Sequence, residues 1–99
     1  MASTKRRPRR LQLAKDLDGT QIGPLLEQLA KKRGNPLTIN ASKVERLGAQ
    51  CAQVLIAAAQ TWRSEMQTLQ IAQPSNDFVE GLEILGLSLE HVSFEGGEL

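Results

Sequence analysis

Residues 37–71, LTINASKVERLGAQCAQVLIAAAQTWRSEMQTLQI, decide the fold. They hold a short apolar run, Leu37-Thr38-Ile39, a polar turn, one long apolar helix and a second short run, Leu69-Gln70-Ile71. Pro36 to Ala41 is β-branched and too brief for a helix, so it reads as a central strand. Leu47, Cys51, Val54, Leu55, Ala58, Trp62 and Met66 then follow helical spacing from Gly48 onward. The run Ala57-Ala58-Ala59 lets that helix approach a sheet closely, and Thr68 to Ala72 gives the next strand. Ser42-Lys43-Val44-Glu45 matches a helix-entry box, which here need close only one turn.

Working outward, the chain repeats the alternation of strand and helix. Leu11 and Leu13 flank Gln12, and the period-two pattern runs weakly to Leu17, which predicts an edge strand. After Asp18-Gly19-Thr20, residues Ile22, Leu25, Leu26, Leu29 and Ala30 form one face of an amphipathic helix. Asp18 or Thr20 serves as its N-cap, and Pro24 is tolerated because it falls in the first turn. Lys31, Lys32 and Arg33 complement the carbonyl end of the dipole, and Gly34 supplies a left-handed stop. Beyond Pro74, Ser75 is the expected N-cap of a third helix carrying Phe78, Val79, Leu82, Ile84 and Leu85, which Gly86 ends. Leu87 to Phe94 reads as a final short strand or turn. The expectation is one α/β domain: a small, largely parallel sheet of about four strands with three main helices.

Ninety-nine residues with 40% apolar content suit a single core, since a chain of this size buries about two-thirds of its unfolded surface. With no Tyr, two Phe and one Trp, that core must be aliphatic. The domain is expected over residues 10–94, between a disordered basic arm over 1–9 and an acidic tail over 95–99. The longest apolar run, Val54 to Ala59, is six residues, too short to span a membrane, and the charged N-terminus does not read as a secretory signal. Cys51 has no second cysteine to pair with, which fits a reducing cytoplasm. The net charge of +1 hides an asymmetry: residues 1–50 hold eleven Lys/Arg against four acids, and residues 51–99 hold Arg63 alone against seven. Such polarity steers charged partners or favours head-to-tail self-association. The cations from Lys5 to Arg10 come with neither base-stacking aromatics nor a groove-reading helix, so they are read as a solvated arm and no nucleic acid is expected.

Enzyme chemistry has little to stand on. The chain lacks a phosphate-cradling glycine loop, a dinucleotide fingerprint and a paired-cysteine motif. His91 is the only histidine and Cys51 lies on an apolar helix face, so a surface histidine and a buried small apolar residue are the respective readings. No cofactor, metal or catalytic residue is expected.

Residues 37–87, LTINASKVERLGAQCAQVLIAAAQTWRSEMQTLQIAQPSNDFVEGLEILGL, resemble the STAS domain, the fold of bacterial anti-sigma-factor antagonists. Asn40-Ala41-Ser42 stands at that family's first turn, Gly48-Ala49-Gln50-Cys51 at its helix start, and Pro74-Ser75 and Leu85-Gly86-Leu87 match its later loop and helix end. In antagonists the resemblance implies a phosphorylated Ser or Thr at the helix start, where about two added negative charges switch partner binding. Here that position is Ala49, which has no hydroxyl, and Asn40 replaces the family's acid. Ser42 keeps a hydroxyl one loop away and is read as a turn residue. The chain is also similar to small single-domain STAS-like proteins of bacterial chemotaxis systems, which implies a non-catalytic cytoplasmic adaptor that binds the chemotaxis histidine kinase and modulates phosphate flow to response regulators. The alternatives are an anti-sigma-factor antagonist and an accessory STAS subunit of a lipid or anion transporter. For the adaptor, the resemblance centres partner binding on Ser42, Lys43, Glu45, Arg46, Gly48, Ala49, Gln50 and Gln53.

Overall fold

The apolar alternation beginning at Leu37 is the middle of a parallel sheet. The computed structural model describes residues 8–96. Its elements are β1 (Arg9–Gln12), β2 (Asp16–Leu17), α1 (Ile22–Lys32), β3 (Leu37–Asn40), β4 (Arg46–Leu47), α2 (Ala49–Ser64), β5 (Leu69–Ala72) and α3 (Asn76–Ile84), with 3₁₀ turns at Gly19–Gln21 and Leu89–Val92. β3 lies between β1 and β5, parallel to both, so that Leu11, Ile39 and Ile71 share one row and Gln12, Asn40 and Ala72 the next. β2 and β4 form a separate parallel pair, with Leu17 opposite Leu47. The expected largely parallel α/β arrangement with three helices is the one observed.

Alternation along the strands sorts the sheet into two faces. Leu37, Ile39, Ala41 and Leu69 are buried against the helices. Arg10, Gln12 and Gln70, of the opposite parity, are exposed, which leaves a polar face on the other side. The helical side is filled chiefly by α2, whose Cys51, Ala52, Leu55, Ala58, Ala59 and Trp62 are all buried. A fully buried Leu is worth about 1.5–3 kcal/mol relative to exposure, and with Leu55 and the larger Trp62 both buried this one stripe carries much of the core. Leu25 and Leu29 of α1 and Phe78 and Leu82 of α3 join it, with Leu13, Leu17, Val44 and Val92 from the segments between.

The caps follow the residue chemistry. Asp18 accepts from the Thr20 amide and hydroxyl, capping the first 3₁₀ turn that leads into α1. Ser75 accepts from the Phe78 amide and caps α3. Gly34 and Gly86 adopt φ of 85° and 78° after α1 and α3, the left-handed stops that only glycine takes without strain. Cys51 is buried in α2, and His91 is exposed, accepting the Ser88 amide at Nδ1.

Several expectations need correction. Arg9 and Arg10, read as arm, pair with β3 because main-chain pairing needs no apolar side chain; residues 1–7 of the expected arm lie outside the described residues. The single edge strand predicted from Leu11 to Leu17 is two strands, since β2 leaves the first sheet to pair with β4. The Ser42–Glu45 box opens no helix: Ser42 turns back on Asn40, and the chain goes on into β4. Leu47 belongs to β4, and Met66 lies beyond α2 with φ of 57°. Ile84, counted on the apolar face of α3, is 84% exposed. Leu87 to Phe94 combines both alternatives, a 3₁₀ turn followed by an antiparallel bridge between Phe94 and Leu69. Glu95 and Gly96 continue from that bridge, with the Gly96 amide donating to Thr68 Oγ1 at 2.9 Å; residues 97–99 of the expected tail lie outside the described residues.

Candidate functional site

The end of β3 makes a tight polar turn. Asn40 Oδ1 accepts from the Ser42 amide at 2.9 Å and from the Ser42 hydroxyl at 2.6 Å. Gln12 reaches across from β1 and donates to both Asn40 oxygens at 3.3 Å. Ser42 Oγ thus has a structural task, and Ser42 and Lys43 project from the turn while Val44 is pinned in the core at 1% exposure. Ser75 Oγ holds the Val44 carbonyl at 2.6 Å and ties this turn to the start of α3.

From Val44 the chain runs outward into β4. The Glu45 and Arg46 amides both donate to the Lys15 carbonyl, at 2.7 and 3.2 Å. Glu45 pairs with Lys15 and Arg46 with Asp16, each at 3.9 Å and exposed, so each pair contributes about 0–1 kcal/mol and leaves its charges usable by a partner. Gly48 then donates to the Leu17 carbonyl and serves as N-cap of α2 with no side chain to cap it. Ala49 is the first residue of the helix, and Ala49, Gln50 and Gln53 are exposed. The first turn of α2 carries no acid of its own.

The expected surface thus falls into two adjoining parts. Glu45, Arg46, Gly48, Ala49, Gln50 and Gln53 follow one another along β4 and the start of α2, and Ser42 and Lys43 stand at the end of β3. Asp18 and Gly19 border the first part, although the sequence offered Asp18 only as a helix cap and Gly19 only as part of a turn. The Cys51 thiol donates to the Asp18 carbonyl at 3.4 Å, and Gln50 Oε1 lies 3.6 Å from where a Cβ on Gly19 would stand. The Thr20 hydroxyl, then its amide, hold the Asp18 carboxyl below the usual carboxylate range, so it stays ionised beside the helix. Burial, with the Asp18 carboxylate adding to it, pushes the Cys51 thiol up, which suits a packing residue and not a nucleophile. Gln73 belongs with the second part: it follows β5, is exposed, and holds φ of 51°. No composition signal marks such a residue.

Among the described residues, no group of three or more His, Cys, Asp or Glu could hold a metal ion, and no helix is long and apolar enough to cross a membrane.

Fold and surface together define a small α/β interaction domain built on a short parallel sheet. Residues 1–89 match the family model described as Mlab, STAS domain, and the chain belongs to the STAS-domain family. No curated protein and no solved structure matched it.

Proposed function

We propose that this STAS domain is a docking module that works without being phosphorylated, an adaptor that binds a chemotaxis histidine kinase in the cytoplasm and modulates phosphate flow to response regulators. The observation that carries the reading is Ala49, exposed as the first residue of α2, at the position where the resemblance to antagonists places the phosphorylated hydroxyl. With no hydroxyl there, and with Ser42 Oγ engaged by Asn40, the surface formed by Ser42, Lys43, Glu45, Arg46, Gly48, Ala49, Gln50 and Gln53 offers partners one constant charge state. The choice of kinase as partner rests on the similarity of residues 37–87 to small STAS-like chemotaxis proteins. The alternatives are an anti-sigma-factor antagonist and an accessory STAS subunit of a lipid or anion transporter.

The test is calorimetric titration of the protein into the purified chemotaxis histidine kinase of the same cell, with and without nucleotide. Saturable one-to-one binding near or below micromolar is expected, with no phosphate transferred to this chain. Arg46→Glu should weaken binding by about tenfold or more, equivalent to about 1.4 kcal/mol. Ala49→Glu should do the same without harming the fold, because an acid in the first turn of a helix stabilises it by about 0.3–1 kcal/mol. Absence of heat and co-elution at high concentration would remove the kinase reading and leave the anti-sigma-factor and transporter alternatives. Unchanged affinity in both variants would instead remove this surface.

A further inference from the structure

The sheet has two edges, and they are finished differently. At β5, Phe94 covers the Leu69 end of the edge with a reciprocal pair of hydrogen bonds to Leu69, at 2.7 and 2.9 Å. Among the described residues, no such bridge lies on the β1 edge. Arg9 donates to the Pro36 carbonyl at 2.8 Å and Leu13 to the Asn40 carbonyl at 3.0 Å, so the odd-numbered peptide groups of β1 face β3. By alternation, the peptide groups of Arg10 and Gln12 face outward.

Beside this edge runs a shallow groove between β1 and α1. Leu11, Leu13 and Ala14 form one wall, Pro24 and Leu25 of α1 the other, and Lys15 and Lys43 stand along it. Its lining is predominantly apolar. On the opposite face of the sheet, the same stretch of edge carries Arg10 and Gln12, both exposed.

From these features we infer that the β1 edge is a second binding site, one that takes an extended segment of a protein partner as an added strand, with acidic and apolar residues in alternation. Residues alternate across a strand, so those falling beside Leu11 and Leu13 lie in the groove and those falling beside Arg10 and Gln12 lie on the open face. The first set meets apolar walls and the second meets a guanidinium. Charge at an edge normally guards against unwanted pairing. Arg10 guards this one against neutral and basic strands, and against a second β1 edge, which would bring arginines together. Only an acidic strand gains from it. Pro8, which has no N–H to offer, limits the pairing at its N-terminal end. The inference does not depend on which protein occupies the α2 surface.

The experiment uses the full chain and a capped eight-residue peptide of alternating valine and glutamate, with its valine–lysine counterpart as control. Binding is followed by fluorescence anisotropy, and amide exchange by NMR. The glutamate peptide is expected to bind saturably, more weakly as salt is raised, and to slow exchange of the Arg10 and Gln12 amides; the lysine peptide is not. Gln12→Pro removes an outward N–H without removing a ladder bond, and should weaken binding by about tenfold or more. Arg10→Glu should do the same and, being exposed, keeps the test valid if the proline variant fails to fold. No binding of the glutamate peptide, unaltered affinity in folded Gln12→Pro, or concentration-dependent protection of the two amides without peptide would each overturn the inference, the last because a second copy would then own the edge.

Discussion

Gly48 lies directly against Leu17. Its amide donates to the Leu17 carbonyl oxygen at 2.9 Å, and a Cβ on Gly48 would stand 2.9 Å from that same atom. With φ of −82°, Gly48 needs no left-handed freedom, so its role is space alone. The contact sets how closely the start of α2 approaches β2, and with it where Arg46, Ala49 and Gln50 stand.

Gly48→Ala should therefore destabilise the domain even though alanine suits the backbone. The clashing atom is backbone and cannot swing away, so the cost should be about 1–3 kcal/mol, the range of an overpacked core. A lowered urea midpoint with an unchanged slope is the expected result. If the midpoint holds, the approach of α2 to β2 is softer than the distances indicate.

Ser75 joins two parts of the molecule, accepting from the Phe78 amide at 3.0 Å and donating to the Val44 carbonyl at 2.6 Å. Ser75→Ala removes both bonds. Loss of the cap alone costs about 1 kcal/mol, and the carbonyl bond adds about 0.5–1.5 kcal/mol. Because Val44 anchors the turn that displays Ser42 and Lys43, amide exchange at residues 42–45 should quicken more than exchange across β3. Equal changes at both places would mean that Ser75 supports only α3.

Much of this was legible in the sequence because long elements carry many periodic positions. α2 announces itself through Cys51, Leu55, Ala58 and Trp62, and β3 through Leu37 and Ile39, all of them buried. β2 and β4 are two residues each, too short for any period: the alternation to Leu17 merges β2 with β1, and Leu47 of β4 falls in with the apolar spacing of the helix expected from Gly48. The Ser42–Glu45 box failed because Asn40 Oδ1 already held the Ser42 hydroxyl. Asp18 and Gly19, at the border of the candidate surface, were invisible as such, since their place beside Gln50 and Cys51 depends on a contact across more than thirty residues. The α2 surface could be located through Ala49 only by resemblance, whereas the outward peptide groups of β1 required the pairing register.

Cys51 provides a pH-dependent test of burial. Its thiol is raised in the folded chain, by burial first and by the Asp18 carboxylate second. The unfolded thiol ionises more readily, near pH 8.5, so its contribution to stability is intact below that pH and is lost as the pH climbs through the folded value. Urea midpoints measured from neutral to alkaline pH should fall more steeply for the wild type than for Cys51→Ala, which has no thiol to ionise. In the folded protein the thiol should also react slowly with an aromatic disulfide, at a rate set by opening of the chain. Parallel midpoint curves would show that the thiol ionises equally in both states.

Gly81 sits inside α3, where glycine is an unfavourable choice, and the reason is Leu47 on β4. A Cβ at Gly81 would lie 2.9 Å from the Leu47 Cβ and 3.4 Å from its Cδ2. Gly81→Ala gains about 0.8–1.0 kcal/mol of helix propensity but incurs an overpacking cost of about 1–3 kcal/mol, so the net effect should be destabilising. Leu47→Ala should not rescue it, because alanine keeps the nearest clashing atom and removes apolar burial besides. Thermal denaturation of both single variants and the double variant should give nearly additive losses, with a coupling well below the single-site effects. Full rescue by Leu47→Ala would locate the conflict at the distal methyl instead, and α3 would then stand further from β4 than the Cβ distance requires.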